Sequence, residues 1–576
     1  MKPLLHSGVT VQAQKRPDAT ALVFKDIRLT YAELEETSNR LAHLLMAAGC
    51  QPGDRVGLLM PKTHTAILGI LAALKADTIY VPLDPASPAS RQARVLEISD
   101  CRCVLAAGPV YPVLRDALAT AKLQQQPMIG WLEELAPLGI EQAPAFTLRD
   151  LAACPSSLPA SASNADDIAQ ILFTSGSTGL PKGVMLTHSN IVHFIRWAGA
   201  YFDINHTDRI SQHPPLRFDV ATFDIFGALW AGAQLHLVPH ELNLLPHKLA
   251  QFIRDAELTQ WFSVPSVLKL MVNFNVVQHH DFPGLRRLLF AGEVLPTPTL
   301  IHLMQRLSHV RFTNLYGPTE TTISSSHYTL PNCPIDDREP IPIGTACEGE
   351  ELLILDEQMR PVPPGQIGEL YIGGAGVAPG YWRDPEKTAS AFVTRQDEQG
   401  GMAKLLYKTG DLAHRGADGM IYFHGRIDMQ IKSRGHRIEL GEIEAALRSL
   451  HGLRDAAVVA IPSPGFEGWL ICCAFVPEPG DASSISGLRK RLTELLPSIM
   501  LPARWMRYES LPKNESGKTD RTGLTHAFQQ AERRTTETQM TPSQDSIGTP
   551  PGETIASRIG TAAPRIAANS LGGIDS

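Results

Sequence analysis

Residues 171–188, ILFTSGSTGLPKGVMLTH, place hydroxyl side chains, glycines and a lysine directly after a short apolar run. Glycines allow positive φ, so that backbone N–H groups can converge on an anion, and hydroxyls and Lys182 add donors and a positive charge. The segment therefore predicts a loop for the β- and γ-phosphates of ATP. It lacks the Gly-Lys-Ser/Thr ending of a Walker A loop. The alternative is a flexible linker, which would not normally separate two apolar runs.

Residues 314–322, NLYGPTETT, form a second candidate segment. Tyr316 offers a flat face to a nucleobase, and Asn314 can hydrogen-bond a purine edge. Glu320 can hold Mg²⁺, which prefers oxygen ligands. Taken alone, the segment is better explained as a turn containing Gly and Pro with a helix cap.

Residues 407–412, YKTGDL, contain Asp411, which can accept hydrogen bonds from both ribose hydroxyls, and Arg426 downstream can assist at the ribose or phosphates. Taken alone, Asp411 is better explained as a turn-capping residue. Residues 425–444, GRIDMQIKSRGHRIELGEIE, place Asp428 where a β-rich region meets a small module, a position suited to a hinge. Lys518 lies on a Gly-containing loop, where a lone lysine is usually a solvated surface charge.

Short apolar runs alternate with helical stretches through the first part of the chain. Residues 55–60, 66–76 and 78–82 read as strand, helix and strand, and residues 288–291, 297–307 and 312–315 repeat the unit. Such alternation predicts parallel sheets in an α/β fold.

Beyond residue 362, Gly and Pro become dense and short strands at 367–372 and 420–424 predict antiparallel β structure. A small α+β module follows, with helices at 441–450 and 486–495 and strands at 455–461 and 469–476. We expect a core domain at residues 1–427, a small domain at 428–527, and a disordered tail at 528–576 because that stretch has no clear apolar period.

Composition narrows the class of protein. A chain of 576 residues is too long to fold around a single hydrophobic core. Its formal net charge of -7 argues against nucleic acid as the main partner. No apolar run is long enough to span a bilayer. We therefore expect a protein of at least two domains without a membrane partner. The eight cysteines are scattered without metal-site spacing, and we interpret them as reduced thiols in a cytoplasmic protein.

Taken in order, these segments resemble the adenylate-forming superfamily, and within it the amino-acid adenylation domains of nonribosomal peptide synthesis. The resemblance covers about residues 21–521, and further motifs carry it: LTYAELEETSNRLAHLL from Leu29, LKADTIYVPLDPASP from Leu74, FDVATFDIFGALWAG from Phe218, GELYIGGAGVAPGYW from Gly368 and LPSIMLPARW from Leu496. Asp77 replaces the family's usual Gly, and Ile499 replaces its frequent Tyr. The resemblance implies a large N-terminal domain of two α/β subdomains and a β-rich subdomain, with a small mobile C-terminal domain.

The resemblance also implies roles for individual residues. Lys518 would reach in from the small domain to contact the substrate carboxylate and the α-phosphate, Glu320 would bind Mg²⁺, and rotation about Asp428 would later remove Lys518 and admit a thiol. Thr174 and Glu320 join Lys518 as catalytic residues. The implied nucleotide site comprises Thr174, Ser175, Gly176, Ser177, Thr178, Gly179, Lys182, Asn314, Tyr316, Gly317, Thr319, Asp411 and Arg426.

By the same resemblance, Asp219 pairs with the α-amino group of an amino acid. The remaining pocket positions are Val220, Phe223, Phe262, Leu289, Ala291, Leu315, Ile323 and Ser324, closed by Lys518. Only Ser324 in the wall is polar, so an apolar side chain is expected. The set resembles that of enzymes that load L-proline onto carrier proteins. The alternative for these positions is ordinary α/β core.

The implied activity is an AMP-forming, ATP-dependent ligase of secondary-metabolite or antibiotic biosynthesis. It would transfer the amino acid to the phosphopantetheine thiol of a separate carrier protein, since the LGGIDS ending from Leu571 matches a carrier's motif only partly. Alternatives are a D-alanine or other small-amino-acid carrier ligase, a coenzyme A ligase, and a non-catalytic relative. The last would be expected to have lost Lys518, Glu320 or Asp411.

Overall fold

The computed structural model describes residues 3–137, 140–176, 179–396, 403–463, 468–479, 484–514 and 518–540. These residues belong to two units, one ending at Phe528 and one beginning at Gln529.

The first part of the chain alternates strands and helices, as the sequence predicts. Its elements in chain order are α1 (Ser7–Lys15), β1 (Thr20–Phe24), β2 (Ile27–Thr30), α2 (Tyr31–Ala47), β3 (Arg55–Leu59), α3 (His64–Lys75), β4 (Ile79–Leu83), α4 (Ala89–Ser99), β5 (Cys103–Ala106), α5 (Tyr111–Thr120), β6 (Met128–Trp131), β7 (Phe146–Thr147), β8 (Ile168–Thr174), β9 (Lys182–Thr187), α6 (His188–Tyr201), β10 (Arg209–Gln212), α7 (Asp219–Ala231), β11 (Gln234–Leu237), α8 (Pro246–Asp255), β12 (Gln260–Ser263), α9 (Pro265–Asn273), β13 (Arg287–Ala291), α10 (Thr297–Arg306), β14 (Arg311–Tyr316), β15 (Ser326–Thr329) and β16 (Thr345–Ala346).

These strands form two large sheets, which confirms the predicted α/β class. One has the order β7-β6-β5-β3-β4-β8-β9 and is parallel except at β8–β9. The other has the order β16-β15-β14-β13-β12-β10-β11-β1-β2, with a parallel centre and antiparallel ends. Helices α3 and α7 are apolar and almost wholly buried, and one core cluster joins them to residues of both sheets. A helix that is apolar on all sides must be covered on all sides, so these two helices hold the sheets together.

The next region is the predicted antiparallel one. It contains β17 (Glu350–Leu355), β18 (Gly368–Gly374), α11 (Pro385–Ala391), β19 (Phe392–Arg395), β20 (Lys404–Arg415) and β21 (Ile421–Arg426). The five strands pair antiparallel throughout, with β21 joined to β20.

The last region is a small α+β module. Its elements are β22 (Gln430–Ser433), β23 (His436–Glu439), α12 (Leu440–Arg448), β24 (Leu453–Pro462), β25 (Trp469–Pro477), α13 (Ile485–Thr493), β26 (Arg504–Arg507) and α14 (Arg521–Met540). β22 and β23 form a hairpin, and β24-β25-β26 form a separate sheet. Asp428 lies in the link between β21 and β22.

One expectation for the tail differs from the structure. Helix α14 continues to Met540, into the segment predicted to be disordered from residue 528. Leu524 and Phe528 are buried one turn apart, and the residues that follow are largely good helix formers, so the helix extends without an apolar period of its own. Residues 541–576 of the predicted tail lie outside the described residues.

Within the described ranges, every helix falls short of the length and apolarity needed to cross a bilayer.

Candidate active site

The predicted phosphate loop connects two strands at the edge of their sheet. Thr174 ends β8 and pairs with Lys182, which begins β9. Gly179 has a φ of +82°, and a Cβ on Gly176 would lie 1.9 Å from the Leu180 carbonyl oxygen, so glycine is required at both positions. Ser177 and Thr178 lie outside the described residues.

Three side chains of this loop have defined surroundings. The Thr174 Oγ1 atom is buried and has no hydrogen-bond partner among the described residues, so it is available to a ligand. The Ser175 hydroxyl donates to the Arg437 carbonyl oxygen at 2.7 Å. The Lys182 ammonium lies 5.1 Å from the centroid of the Tyr381 ring, and burial, followed by the charge of Arg437, lowers its pKa.

The predicted nucleoside residues come together across two sheets. The Tyr316 hydroxyl donates to Asp411 Oδ2 at 2.5 Å, and Arg426 pairs with the other Asp411 oxygen. Asn314 donates to the Pro342 carbonyl oxygen at 2.9 Å, two residues along β14 from Tyr316. The aromatic face and the ribose acceptor are thus adjacent, while their roles stay predictions.

Gly317 follows β14 in the same segment. A Cβ at this position would lie 2.6 Å from the Ser324 Cα atom, so only glycine fits against the chain that passes there.

Glu320 is wholly buried and has two strong partners. Arg437 Nη1 donates to its two carboxylate oxygens at 3.0 and 2.9 Å, and the Tyr381 hydroxyl donates at 2.8 Å. Burial alone would raise the pKa of Glu320, but the charges of Arg437 and Lys182 outweigh it and lower the pKa to about 2. Glu320 is therefore an anion that the chain itself neutralises in this conformation.

The donor set suits the predicted Mg²⁺. The described residues hold no group of three or more His, Cys, Asp or Glu that could form a metal cage. Mg²⁺ is usually bound by one or two carboxylates together with phosphates and water rather than by such a cage. Glu320 supplies the ionised carboxylate, with its oxygens held by Arg437 and Tyr381 in this conformation, and the Thr174 Oγ1 atom has no partner among the described residues.

Asp219 begins helix α7, where the helix dipole favours a negative charge. Burial raises the pKa of Asp219 to about 6, although hydrogen bonds from the Thr319 side chain and the Val220 N–H oppose the shift. Among the ion pairs of the described residues, none involves Asp219. Its carboxylate therefore has hydrogen bonds but lacks a paired cation.

The predicted pocket wall is mostly buried and apolar. The Phe223 and Phe262 rings lie edge to face with centroids 6.0 Å apart. Ile323 has a φ of +71°, a strained conformation for a β-branched residue, and the Ser324 Oγ atom is buried without a partner among the described residues. The remaining wall residues are the buried Leu289, Ala291 and Leu315 and the half-buried Val220.

Lys518 lies apart from these groups. It is exposed, and its backbone N–H donates to Asn514 Oδ1 at 2.9 Å. Among the described residues, no hydrogen bond or ion pair joins its ammonium to the predicted pocket wall, and its contact with the substrate stays a prediction. Asp428, the predicted hinge, accepts two hydrogen bonds from the Arg426 guanidinium, from Nε to Oδ1 at 2.7 Å and from Nη2 to Oδ2 at 2.6 Å.

The β22–β23 hairpin contacts residues of the predicted nucleotide site. The Lys432 ammonium lies 5.9 Å from the Tyr316 ring centroid, and Glu293 accepts a hydrogen bond from the Gly435 N–H at 2.7 Å. A cavity of about 310 Å³ lies beside the hairpin, and Lys182, Tyr381, Tyr407, Arg426, Asp428 and Arg437 are among its lining residues.

Sequence reasoning gave no role to Arg437, Tyr381 or Lys432. All three lie within the segments 368–382 and 425–444, whose amino-acid sequences contribute to the family resemblance. Nothing local, however, marks one arginine of the hairpin as the partner of a carboxylate 117 positions away.

Relatives of this chain are synthases, several of them far longer than the chain itself. The chain is 36% identical over 514 residues to tyrocidine synthase 3 of Brevibacillus parabrevis, covering 89% of this chain and 7% of the relative. It is 33% identical over 515 residues to zwittermicin A synthase ZmaJ of Bacillus cereus, covering 88% of this chain and 92% of the relative. The chain spans between 6% and 14% of the length of the first six curated relatives it matches.

Solved structures share the fold over most of the chain. The Vibrio cholerae adenylation domain AlmE, in complex with glycyl-adenosine-5'-phosphate, matches with a TM-score of 0.78 and 27% identity, covering 92% of this chain and 98% of AlmE. A nonribosomal peptide synthetase protein containing adenylation and PCP domains matches with a TM-score of 0.74 and 27% identity, covering 91% and 84%.

Two family descriptions match in chain order: AMP-binding enzyme at residues 9–382 and AMP-binding enzyme C-terminal domain at residues 442–518. The first span holds the phosphate loop, Glu320 and Asp219, and the second ends at Lys518. The chain therefore belongs to the AMP-binding enzyme family, within the adenylate-forming superfamily.

Proposed function

We propose that this enzyme activates an amino acid, with L-proline as the preferred substrate, and loads it onto the phosphopantetheine thiol of a separate carrier protein. The observation that carries the proposal is Asp219, a buried carboxylate that forms no ion pair among the described residues. A substrate ammonium supplies that cation, whereas a simple fatty or aryl acid does not.

The walls favour a compact apolar side chain. A charged substrate side chain would have no polar partner against this wall, which consists of two edge-to-face phenylalanines and the buried Leu289, Leu315 and Ile323. An unpaired polar group there costs about 1–3 kcal/mol. A proline ring is compact and apolar, and its secondary ammonium can still pair with Asp219. The glycyl adenylate bound by AlmE supports an amino acid as the substrate class.

The first step joins two anions, so the chain must supply positive charge. Asp219 orients the amino acid, and the amino acid's carboxylate oxygen attacks the α-phosphorus of ATP. A P–O bond forms to give the aminoacyl adenylate, and the bond to pyrophosphate breaks. Lys182 and Lys518 offset the developing charge, Asp411 holds the ribose, and Tyr316 holds the adenine. Mg²⁺ held at Glu320 would neutralise phosphate charge.

In the second step, a thiol adds to the adenylate carbonyl and AMP leaves, giving a thioester. The exposed position of Lys518 and the hairpin beside the nucleotide site support a second orientation of the C-terminal domain for this step. The similarity to a protein that contains adenylation and PCP domains supports a carrier as acceptor.

The test is amino-acid-dependent exchange of labelled pyrophosphate into ATP, measured over all common amino acids. We expect L-proline first, small apolar amino acids behind it, and no exchange with aspartate, lysine or tryptophan. A maximum with D-alanine would favour the ligases that charge cell-wall carriers, and a charged amino acid would overturn the pocket assignment.

The acceptor is tested by adding either a phosphopantetheinylated carrier protein or free coenzyme A to the preformed adenylate. We expect the carrier to accelerate AMP release, and acceleration by coenzyme A alone would overturn the carrier assignment.

A further inference from the structure

Two consecutive β-branched residues, Thr322 and Ile323, have a left-handed backbone. Their φ angles are +60° and +71°, and both residues are buried. Among the non-glycine residues that the structure describes with positive φ, they are the only β-branched ones and the only adjacent pair. A conformation of this kind persists only where the surrounding structure holds it, and it clusters at functional sites. The contacts that hold this pair therefore decide where the Ile323 side chain lies.

The loop that follows β18, residues 375–378, holds the backbone just before the predicted pocket wall, and we call it the β18 loop. The Thr322 hydroxyl donates to the Gly376 carbonyl oxygen at 2.6 Å. The Ala378 N–H donates to the Glu320 carbonyl oxygen at 2.9 Å. These two hydrogen bonds fix the segment that leads into the wall, although the sequence assigned no chemical role to this loop.

Gly376 is the centre of this connection. Its N–H donates to Glu350 Oε1 at 2.8 Å, so the same residue is bonded to β17 on one side and to Thr322 on the other. A Cβ on Gly376 would lie 2.7 Å from the Thr321 carbonyl oxygen, so only glycine allows this close approach. A series of hydrogen bonds therefore runs from the Glu350 carboxylate through Gly376 to the residue that precedes Ile323.

We propose that the β18 loop is a determinant of amino-acid specificity, because its hydrogen bond to Thr322 fixes the left-handed backbone that places Ile323 in the pocket wall. Thr322 and Glu350 are positioning residues, since neither belongs to the predicted wall and both act through Gly376. The inference rests on the proposed function, which puts Ile323 beside the substrate. It adds residues that determine specificity without touching the substrate.

The direction of the effect follows from the strain. Removing the Thr322 hydroxyl leaves the Gly376 carbonyl without this donor, and the two strained residues have one contact fewer to hold them. The backbone then has access to ordinary negative φ values, and the Ile323 side chain no longer occupies one position. A pocket with a mobile wall discriminates less between a compact side chain and a larger one, whereas the groups predicted to hold ATP are unchanged.

Thr322→Val tests the inference, since valine has the shape of threonine without the hydroxyl. The value of kcat/KM in pyrophosphate exchange is measured for each common amino acid, and the parent's preferred amino acid is compared with the next larger apolar one. We expect this ratio to fall about tenfold, within the range that a hydrophobic pocket gains by rejecting an added methylene group. The KM for ATP should stay at the parent's value.

Two further variants separate the hydroxyl from the strain. Thr322→Ser keeps the hydroxyl and should keep the parent's ratio. Thr322→Gly lacks the hydroxyl but accepts positive φ without strain, so it tests the same hydrogen bond even where valine prevents folding. Its ratio should fall as that of Thr322→Val does.

The Glu350 end of the series is tested in the same way. Glu350→Gln keeps an oxygen that accepts from the Gly376 N–H and should keep the ratio, whereas Glu350→Ala leaves that N–H unpaired and should lower it. The double variant Thr322→Val, Glu350→Ala should lose little more discrimination than the larger single loss, because both residues act through Gly376. Fully additive losses would overturn this connection.

The matched control is Thr297→Val, which removes another buried threonine hydroxyl that donates to a carbonyl oxygen at 2.6 Å, that of Glu339. Thr297 lies in α10, which contains none of the predicted site residues, so this variant should leave the ratio unchanged. The parent's ratio in Thr322→Val and Thr322→Gly, or equal losses for every amino acid and for ATP, would overturn the inference. The proposed function fails separately, by absence of amino-acid-dependent exchange in the parent enzyme.

Discussion

Two buried carboxylates of this enzyme, Asp219 and Glu320, have opposite surroundings. Asp219 is at the start of α7 and has hydrogen bonds but no ion pair among the described residues, so burial dominates and raises its pKa to about 6, although the charge of Lys432 opposes the shift. Glu320 is more deeply buried, yet Arg437 and Lys182 lower its pKa to about 2 despite that burial. The degree of burial therefore does not decide the charge state, whereas the presence of a cation from the same chain does.

This difference indicates what a ligand must do to bind each carboxylate. Glu320 is neutralised within the protein, so any ligand there must displace Arg437. Asp219 has no ion pair among the described residues, so an incoming ammonium does not have to displace one, although Lys432 already acts on this carboxylate through its charge. Four experiments test the roles assigned to these carboxylates and to Lys518, and each has an outcome that would contradict the assignment.

The largest effect is expected for Asp219→Ala. A substrate ammonium buried without its partner costs roughly 3–5 kcal/mol, so kcat/KM for the amino acid should fall by about two to four powers of ten. The KM for ATP should change far less, because among the described residues no hydrogen bond or ion pair joins Asp219 to Tyr316 or to the loop after β8, and Thr319 is its one partner from the predicted nucleotide site. Exchange kinetics with each substrate varied separately measure both. Asp116→Ala, at an exposed site, is the control, and an equal loss for ATP would contradict the assignment.

Lys518→Ala should lower adenylate formation by about 10²–10³-fold, the loss typical of one electrostatic donor in a transition state. Thioester formation from preformed aminoacyl adenylate should change far less, because Lys518 is exposed in the orientation assigned to that step. Rapid-quench measurement of each half-reaction separates the two. Lys513→Ala, on the same loop, should leave both unchanged, and equal losses in both steps for Lys518→Ala would remove the two-orientation mechanism.

Glu320→Gln should raise the magnesium concentration needed for half-maximal exchange by about ten- to a hundredfold. The substitution removes a charged contact of about 1.5–3 kcal/mol, and about 1.4 kcal/mol corresponds to tenfold. A magnesium titration of exchange measures it, and Asp219→Asn serves as the control that should leave the requirement unchanged. If Glu320→Gln leaves the magnesium requirement unchanged, Glu320 does not bind Mg²⁺ and the contrast with Asp219 is wrong.

The smallest effect concerns pH. Below a pKa of about 6, Asp219 becomes protonated and loses its charge, while the substrate ammonium stays charged. The kcat/KM for the amino acid should therefore fall as pH decreases, by about tenfold at pH 5, because kcat/KM reports groups of the free enzyme. Glu320, with a pKa of about 2, stays ionised over this range. The Asp219→Asn variant should have a lower kcat/KM that no longer falls between pH 7 and pH 5. If kcat/KM of this variant falls in the same way, a group other than Asp219 causes the pH dependence.

Much of the fold follows from local pattern. The strand–helix alternation near residues 55–82 and 288–315 matches β3-α3-β4 and β13-α10-β14, because buried parallel strands and their helices have distinct apolar periods. The position of the loop after β8 was equally predictable, since its glycines and hydroxyls are contiguous. The contact between Arg437 and Glu320 was not, because it depends on how a separate domain is placed. The extension of α14 was missed because helix propensity continued where the apolar period stopped.

The strained backbone at Ile323 bears on how substrate choice can evolve. Holding a β-branched residue at positive φ costs on the order of 1–3 kcal/mol, which a glycine at the same position would not incur. Truncating a buried aliphatic residue normally costs about 2–5 kcal/mol, but replacing Ile323 with glycine also releases the backbone strain, which offsets part of that loss. Leu315, in the regular strand β14, offers no such compensation. A lineage selected for a bulkier substrate would therefore accept changes at position 323 before it accepted them at position 315.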